Sequence, residues 1–207
     1  MAQMGRPRSF DRDEAIHQAM HIFWEHGYEA TSLAQLKAGI GGGISAPSFY
    51  AAFGSKEDLF KEVVAHYLAT HGQVETSLWD ESIPPRHGLE MTLRRSARMQ
   101  SERSHPKGCL MVLSAAACSA EHVPVQKLLT KARARTRDGI ASCIARALAS
   151  GELPAGTDAR ALTMAYGSFL VGLSTLARDG LTSAALDSAV TEMMKVWDVA
   201  VQQVAGS

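Results

Sequence analysis

The sequence has no surplus of either charge, because 21 Lys and Arg balance 21 Asp and Glu across 207 residues. Such a chain does not coat nucleic acid through its overall field, so any contact with a polyanion must come from a local group of residues. The chain also lacks a run of about 18 apolar residues, which a membrane-spanning helix needs. Its first residues carry no apolar stretch of the signal-peptide type. We therefore expect a cytoplasmic protein with no membrane contact.

Cysteine and aromatic residues are also scarce. The three cysteines, Cys109, Cys118 and Cys143, are odd in number and lie in helical patterns, which favours reduced thiols over a disulfide framework. Aromatic residues make up 6% of the chain while Ala, Leu and Met are plentiful, a balance that favours helices over strands. No G-x-S-x-G, H-E-x-x-H, phosphate-loop or C-x-x-C pattern occurs. We expect no catalytic residue, no cofactor and no metal site, and hence a protein that is not an enzyme.

Apolar residues recur at helical spacing along most of the chain, which predicts an all-α fold of about nine helices. The stretch Thr31–Phe60 is the most distinctive part. Ser32 with Gln35 three residues later is the spacing of a capping box, and the glycines at 39 and 41–43 end the helix that it starts. A third helix begins at Ser45 or Ala46. Two short helices around a glycine turn are what a protein needs to place one helix in a DNA groove.

The same stretch resembles a known family. RPRSFDRDEAIHQAMHIFWEHGYEATSLAQL followed by ISAPSFYAAFGSKEDLF is similar to the N-terminal domain of the TetR/AcrR family of transcriptional regulators. Three features carry the resemblance: the G-Y-E-A-T-S link, the S-x-x-x-F-Y-x-x-F helix and the G-S-K-E-D-L-F entry to the next helix. As a set they are specific, whereas each alone would be weak.

The resemblance implies that residues 1–61 form a three-helix helix-turn-helix domain whose recognition helix enters the major groove of double-stranded operator DNA. Tyr50 would donate its hydroxyl to a phosphate, and residues at the starts of the second and fourth helices would contact the same backbone, positioning the protein without reading bases. The N-terminal arm would add phosphate or minor-groove contacts. The implied DNA-binding residues are Arg6, Arg8, Thr31, Ser32, Ser45, Ala46, Pro47, Ser48, Tyr50 and Lys56.

Base reading would fall to residues 45–48, which carry no charge. Hydroxyl bonds and apolar contacts to thymine methyl groups are therefore favoured over Arg–guanine pairs. Residues 1–61 hold six Lys and Arg against seven Asp and Glu, so attraction to phosphate must come from a local cluster. That cluster is Arg6, Arg8, Arg12, Lys37 and Lys56. The link A-G-I-G-G-G-I-S is longer than the single-glycine turn usual in the family.

Residues 62–207 are predicted to form a helical ligand-sensing and dimerisation domain. The resemblance implies that the last two helices pair across a two-fold axis as a four-helix bundle, giving a homodimer. It also implies a central cavity for an unknown small-molecule effector, lined by large side chains that are equally suited to a packed core. The ligand-binding candidates are Trp79, Met91, Met99, Cys109, Met111, Tyr166 and Phe169.

Cys109 is the sharpest of these candidates. K-G-C-L-M resembles a segment found in a subset of these regulators that includes sensors of electrophiles and oxidants. After Gly108 the cysteine would lie in the first turn of its helix, where the helix dipole and Lys107 favour a thiolate. The alternative is an inert buried thiol.

The predicted function is a ligand-responsive transcriptional regulator, namely a dimeric repressor that binds a palindromic operator. A small effector, or thiol modification at Cys109, would release it. Repression is the default because a bound dimer blocks a promoter by occupancy. The alternative is a helical adaptor that binds protein and has no affinity for DNA.

Overall fold

The computed structural model describes residues 11–116 and 118–205, and every regular element in these ranges is helical, which confirms the predicted all-α fold. A short 3-10 helix, His71–Glu75, lies between the fourth and fifth α-helices. The described α-helices are α1 (Arg12–Ala30), α2 (Leu33–Gly39), α3 (Ala46–Phe53), α4 (Lys56–Ala69), α5 (Thr76–Trp79), α6 (Pro85–Ser101), α7 (Leu110–Ala116), α8 (Val123–Ser150), α9 (Ala159–Arg178) and α10 (Ser183–Ala205). None of them is long and apolar enough to cross a bilayer.

Helix α4 ends earlier than the sequence pattern indicates. Its apolar spacing continues toward the break at Asp80, but the helix stops at Ala69 and the chain continues as the 3-10 helix and α5. Thr70 leaves the helical region, and its Oγ1 donates to the carbonyl of His66 at 2.8 Å. Gly72 follows directly and is a poor helix former. The described residues therefore hold ten α-helices instead of about nine.

Side-chain caps start the N-terminal helices where the sequence predicts them. The Asp11 carboxylate accepts from the backbone amides of Asp13 and Glu14 at 2.9 and 3.2 Å. Ser32 and Gln35 form the predicted capping box, with both reciprocal hydrogen bonds present. Gly27 interrupts α1 with φ 78° and ψ 166°, and one further helical turn follows it to Ala30. The bends that orient α2 are thus encoded locally.

Two clusters of buried side chains form the core. The first joins α1–α4 to parts of α6, α7 and α8, and its C-terminal members are Met99, Leu110, Met111, Val125 and Leu129. The second joins α5, α6, α8, α9 and α10. Helix α4 runs without interruption through residues 61 and 62, so the predicted boundary there separates proposed roles and falls inside one helix.

Helix α1 connects the two halves. It packs against α4 on one side and α7 on the other, while α7 also packs against α8 and α9. A shift of α7 would therefore displace α1, because close-packed side chains leave little free space to absorb the movement.

Candidate nucleic-acid interface and internal cavity

The glycine turn between α2 and α3 is held by backbone hydrogen bonds and by α1. Gly41, Gly42 and Gly43 have φ of 57°, 72° and 96°, a left-handed run that residues with a side chain rarely adopt. The amide of Gly41 donates to Oε1 of Gln18 in α1 at 2.8 Å. The amide of Ile44 donates to the carbonyl of Lys37 at 2.8 Å. These bonds fix the longer turn to the body of the domain.

The start of α3 presents small uncharged side chains at the surface. Ser45 is the N-cap, and its Oγ accepts from the amide of Ser48 at 3.2 Å. The two serine hydroxyls are 2.9 Å apart. Ser45, Pro47 and Ser48 are exposed and Ala46 is half-buried. The predicted base-reading set therefore lies together at the N-terminal end of one helix.

Tyr50 of α3 and Ser32 at the start of α2 are exposed at the surface. The Tyr50 side chain is 52% exposed, and its ring meets Phe49 edge-on with centroids 5.7 Å apart. The hydroxyl of Tyr50 makes no hydrogen bond to the described part of the chain. Ser32 is exposed at the start of α2. Both side chains can reach a DNA backbone without rearrangement of the core.

Two predicted phosphate contacts, Thr31 and Arg12, are not free at the surface. Thr31 is fully buried, and its Oγ1 donates to the carbonyl of Gly27 at 2.7 Å, so its side chain cannot reach DNA. Arg12 is bound to Glu62 at 2.6 Å and lies over the Phe53 ring. Its charge is therefore compensated inside the protein. Arg6 and Arg8 lie outside the described residues.

Lys56 is half-buried at the start of α4. Its Nζ lies 4.4 Å from the centroid of the Tyr28 ring, a cation–π contact. Burial lowers the pKa of the Lys56 ammonium, and the nearby Glu29 carboxylate opposes that shift. Lys56 therefore holds α4 against α1, and a phosphate contact would draw it off the ring.

A cavity of about 350 Å³, partly open to the surface, lies among α4, α6, α7, α8 and α9. Its lining includes the exposed side chains of Met164 and Val171. This volume is at the lower end of the range for small-molecule sites. Most of its walls are aliphatic or thioether side chains, among them Leu68, Val74, Met99, Met111, Ile140 and Val171. Glu75, Gln100, Arg133 and Arg137 supply polar groups.

Three of the predicted ligand-binding residues line this cavity and four do not. Met99, Cys109 and Met111 lie in its wall. Those outside the lining are Trp79, Met91, Tyr166 and Phe169. Trp79 lies at the surface under the Arg135 guanidinium, and Tyr166 is fully buried in the second core cluster near Trp197. Burial accordingly raises the pKa of the Tyr166 phenol.

The sequence interpretation missed the cavity's arginines. The run of Lys and Arg along α8 predicts a solvated basic face, and Arg137 is exposed as that pattern indicates, whereas Arg133 is half-buried. The four-residue spacing places both on one side of the helix, and that side meets the cavity. A pattern of charges does not show whether a helix face meets bulk water or an internal space.

Cys109 precedes the first residue of α7 and lies in the cavity wall. Its Sγ accepts from the Tyr67 hydroxyl of α4 at 3.4 Å, and its amide donates to the Ser174 hydroxyl of α9 at 2.8 Å. Burial raises the pKa of the Cys109 thiol, and the Tyr67 bond offsets this only in part. The sequence prediction that helix geometry favours a thiolate here is therefore wrong. Desolvation outweighs the helix start.

The backbone beside Cys109 is tied to α1. The indole Nε1 of Trp24 donates to the carbonyl of Gly108 at 3.1 Å. Arg178 of α9 binds the carbonyl of Glu25 and donates to the carbonyl of Lys107 at 3.4 Å. One short segment thus contacts the cavity on one side and α1 on the other.

Histidines surround Trp24 at this junction. Its ring stacks on His105 with centroids 4.4 Å apart and meets His71 edge-on at 5.0 Å. His17 and His21 lie nearby on α1. In the described ranges no three His, Cys, Asp or Glu side chains are arranged to hold a metal ion.

Protonation of His71 is expected to destabilise the fold at mildly acidic pH. Burial, followed by the charges of His105, His21, His17 and His66, lowers the pKa of His71 from 6.5 to about 4. Below pH 6.5 the unfolded chain binds this proton and the folded chain does not, so stability present above 6.5 is lost as the pH falls toward 4. Because His71 is only half-buried, we expect a loss of about 1 kcal/mol in the free energy of unfolding between about pH 7.5 and 5.5.

Urea titrations at several pH values measure this slope. His71→Gln should flatten it, since glutamine does not titrate, whereas His26→Gln, at an exposed position of α1, should leave it unchanged. A wild-type slope retained in His71→Gln would contradict the assignment.

Comparison with known proteins agrees with this arrangement. Residues 15–63 match the family model of bacterial regulatory proteins, tetR family, and residues 87–193 match the tetracyclin repressor-like C-terminal domain. The chain is 31% identical to the HTH-type transcriptional repressor ComR of Escherichia coli, over 93% of this chain and 91% of the relative. It is 34% identical to the HTH-type transcriptional repressor BdcR of Escherichia coli, over 52% and 54%.

A solved structure is similar along the whole fold. A cysteine mutant of the TetR family transcriptional regulator CifR, complexed with 26 bp of double-strand operator DNA, superposes with a TM-score of 0.85 at 38% identity. The match covers 93% of this chain and 100% of that one. With both domain models matched in order and a relative aligned over nearly its full length, the chain belongs to the TetR family of DNA-binding transcriptional regulators.

Proposed function

We propose that the protein is a dimeric repressor that binds a palindromic operator through α2, α3 and the start of α4, without catalysing a reaction. The observation that carries this is the exposed N-terminal end of α3, where the uncharged side chains of residues 45–48 are followed on the same helix by the exposed Tyr50. CifR was solved with operator DNA, and ComR and BdcR are named repressors, which supports the same role here. We place this action in the cytoplasm.

The apolar surface of α9 and α10 supports the homodimer. Leu176 of α9 and Val196 and Val199 of α10 are large apolar side chains that lie exposed. Burying such a face against its copy removes apolar area from water and generates a closed two-fold assembly. Two helix-turn-helix units then read two half-sites, since one alone makes few contacts. In this proposal residues 1–61 read DNA and residues 62–207 sense and dimerise.

The segment from Gly108 to Met111 supports release by an effector. Cys109 and Met111 line the cavity, and the carbonyl of Gly108 binds Trp24 of α1. Tyr67 of α4 binds the Cys109 sulfur. A ligand that displaces this segment therefore displaces α1 and α4, which pack against the DNA-binding helices α2 and α3 (together, the reader). Such an effector would shift the equilibrium between a DNA-binding and a released conformation, because it would bind the released positions of α1 and α4 more tightly.

Thiol modification at Cys109 is a second route to release. Cys109 lines the cavity, and its Sγ accepts a hydrogen bond from the Tyr67 hydroxyl of α4. An adduct on the sulfur would break this hydrogen bond. The raised thiol pKa slows this reaction, since the thiolate is the nucleophile. We therefore treat a non-covalent effector as the main route.

A gel shift on the promoter region beside the protein's own gene tests the operator proposal. We expect a shift that weakens steeply as salt rises, because bound lysines and arginines release counterions from DNA. A selection from random duplexes should return a palindrome. No shift at any salt concentration, and no selected sequence, would instead favour a protein-binding adaptor.

Mass spectrometry after mild peroxide or an electrophile tests the second route. We expect slow modification at Cys109, and a parallel loss of the gel shift, both absent in Cys109→Ser. Cys143 is the internal control, because it is buried away from the cavity and its Sγ is bonded to the carbonyl of Pro85 at 2.9 Å. If Cys109 remains unmodified while the protein stays folded, the thiol route is excluded.

A further inference from the structure

Two arginines on the cavity wall have no carboxylate partner among the described residues. Arg133 and Arg137 are one helical turn apart on α8, and both line the cavity. Arg133 donates to the carbonyl of Met111 at 3.0 Å and to the Thr130 hydroxyl at 3.3 Å, and neither arginine forms an ion pair with the described part of the chain. Burial and then the neighbouring Arg137 lower the pKa of Arg133, so each charge is unfavourable to the other.

The one carboxylate in the wall does not offset them. Glu75 accepts from Arg135 at 2.8 Å through one oxygen and from the Thr136 hydroxyl at 2.6 Å through the other. Its charge is therefore neutralised by Arg135, which points away from the cavity toward Trp79. The cavity wall thus keeps two guanidinium groups with no carboxylate partner among the described residues, of which Arg133 is half-buried and Arg137 is exposed.

A buried amide marks a second polar point. Gln100 of α6 lines the cavity and is 3% exposed, and its Oε1 has no hydrogen-bond partner among the described residues. An unpaired buried amide oxygen costs free energy that a ligand's hydroxyl or N–H group can recover. Aliphatic and thioether side chains make up most of the remaining lining, together with the hydroxyl groups of Tyr67, Thr92, Ser96, Thr136 and Ser168.

We propose that the effector is a small carboxylate with an apolar body and a hydroxyl or amide group, its carboxylate bound by Arg133 and Arg137 and its polar group by Gln100. Guanidinium forks match carboxylate oxygens, and the partial burial of Arg133 strengthens the attraction by lowering the local dielectric constant. Arg133 also holds the carbonyl of Met111. A carboxylate that draws Arg133 away loosens the segment that binds α1 and α4, which links this ligand class to the proposed release from DNA.

Calorimetry on the full-length protein, with no DNA present, tests the ligand class. The probes are para-hydroxyphenylpropionate, its uncharged primary amide, and phenylpropionate, which lacks the hydroxyl. We expect the hydroxy acid to bind about 10-fold more tightly than its amide and a few-fold more tightly than phenylpropionate. Equal binding of acid and amide, or no binding of any acid up to about 10 mM, would overturn the proposal.

Variants on α8 separate a specific site from a general positive field. Arg137→Gln, at an exposed residue with no internal partner, should weaken the hydroxy acid about 10-fold and leave the amide unchanged. Lys131→Gln is the matched control, because Lys131 is exposed on the same helix outside the cavity lining. Equal losses in both variants would overturn the site. Gln100→Leu should remove the preference for the hydroxyl.

This inference rests on the proposed function only for its regulatory consequence. Adding the hydroxy acid to the gel shift should release the operator in the wild type and not in Arg137→Gln. A protein that binds the acid but never binds DNA would contradict the repressor proposal and support the ligand class. A protein that binds its operator but binds no carboxylate would support the repressor proposal and contradict the ligand class.

Discussion

Replacing Gly108 with alanine is expected to lower the free energy of unfolding by about 2–4 kcal/mol. Gly108 has φ +85°, and a Cβ there would lie 2.7 Å from Leu113 Cδ1 and 2.9 Å from the carbonyl oxygen of Ser174. The backbone oxygen cannot move aside as a side chain can. The residue is also held on both sides, since its amide donates to the carbonyl of Gln100 at 2.8 Å and its carbonyl accepts from Trp24.

Gly151→Ala is the matched control for Gly108→Ala. Gly151 has φ +78° at the end of α8, and no atom lies within 4 Å of a Cβ built there. The left-handed backbone alone should cost about 1 kcal/mol. Urea unfolding followed by circular dichroism measures both variants. Equal losses would mean that the packing around Gly108 contributes nothing beyond its dihedral angle.

The position of Gly108 also gives this variant a functional readout. Because the Gly108 carbonyl accepts from Trp24 of α1, a shifted backbone at 108 alters the bond that joins the cavity wall to the reader. We expect weakened operator binding in Gly108→Ala even at temperatures where it is fully folded. Gly151→Ala, distant from that junction along the chain, should bind DNA normally.

Local rules accounted for the reader's helices. The Ser32–Gln35 capping box and the glycines at 41–43 are short-range features, so the sequence alone predicts where α2 begins and ends and where α3 begins. The burial of individual side chains could not be predicted from these local features. Whether Thr31 faces solvent depends on how α1 ends after Gly27, and its burial is a tertiary outcome.

Pairing across long sequence separations was also invisible in the sequence. Arg12 meets Glu62 from fifty residues away, and Trp24 meets Gly108 from a separation of eighty-four. Neither pair has a spacing rule that would identify it. The Arg12 charge therefore looked available for phosphate when it is already used inside the domain.

The cavity shows the same division between local and tertiary information. Cys109 was predicted from the K-G-C-L-M resemblance and Met111 as a large, adaptable side chain, and both lie in the cavity wall. Tyr166 has the same apolar setting, yet it packs against the second core cluster near Trp197. Helical periodicity predicts which face turns inward but not whether that face meets a neighbour or an empty space.

Removal of the Tyr50 hydroxyl is expected to weaken operator binding by about 30- to 100-fold, or about 2–3 kcal/mol for the two copies in a dimer. The hydroxyl has no partner within the described residues, and the side chain is 52% exposed. Tyr50→Phe keeps the edge-on contact with Phe49, so thermal stability should not change. A gel shift against the operator and against unrelated duplex DNA measures the effect.

The comparison with Ser48→Ala separates backbone positioning from base reading. A phosphate contact carries no sequence information, so Tyr50→Phe should lower the affinity for operator and unrelated DNA alike. Ser48→Ala keeps the N-cap, because Ser45 Oγ accepts from the Ser48 backbone amide, and removes only the second hydroxyl. It should lower operator affinity alone, by about 1–2 kcal/mol. If the two variants showed the opposite pattern, Ser48 would be the positioning residue and Tyr50 the reader, and α3 would have to enter the groove in a different orientation.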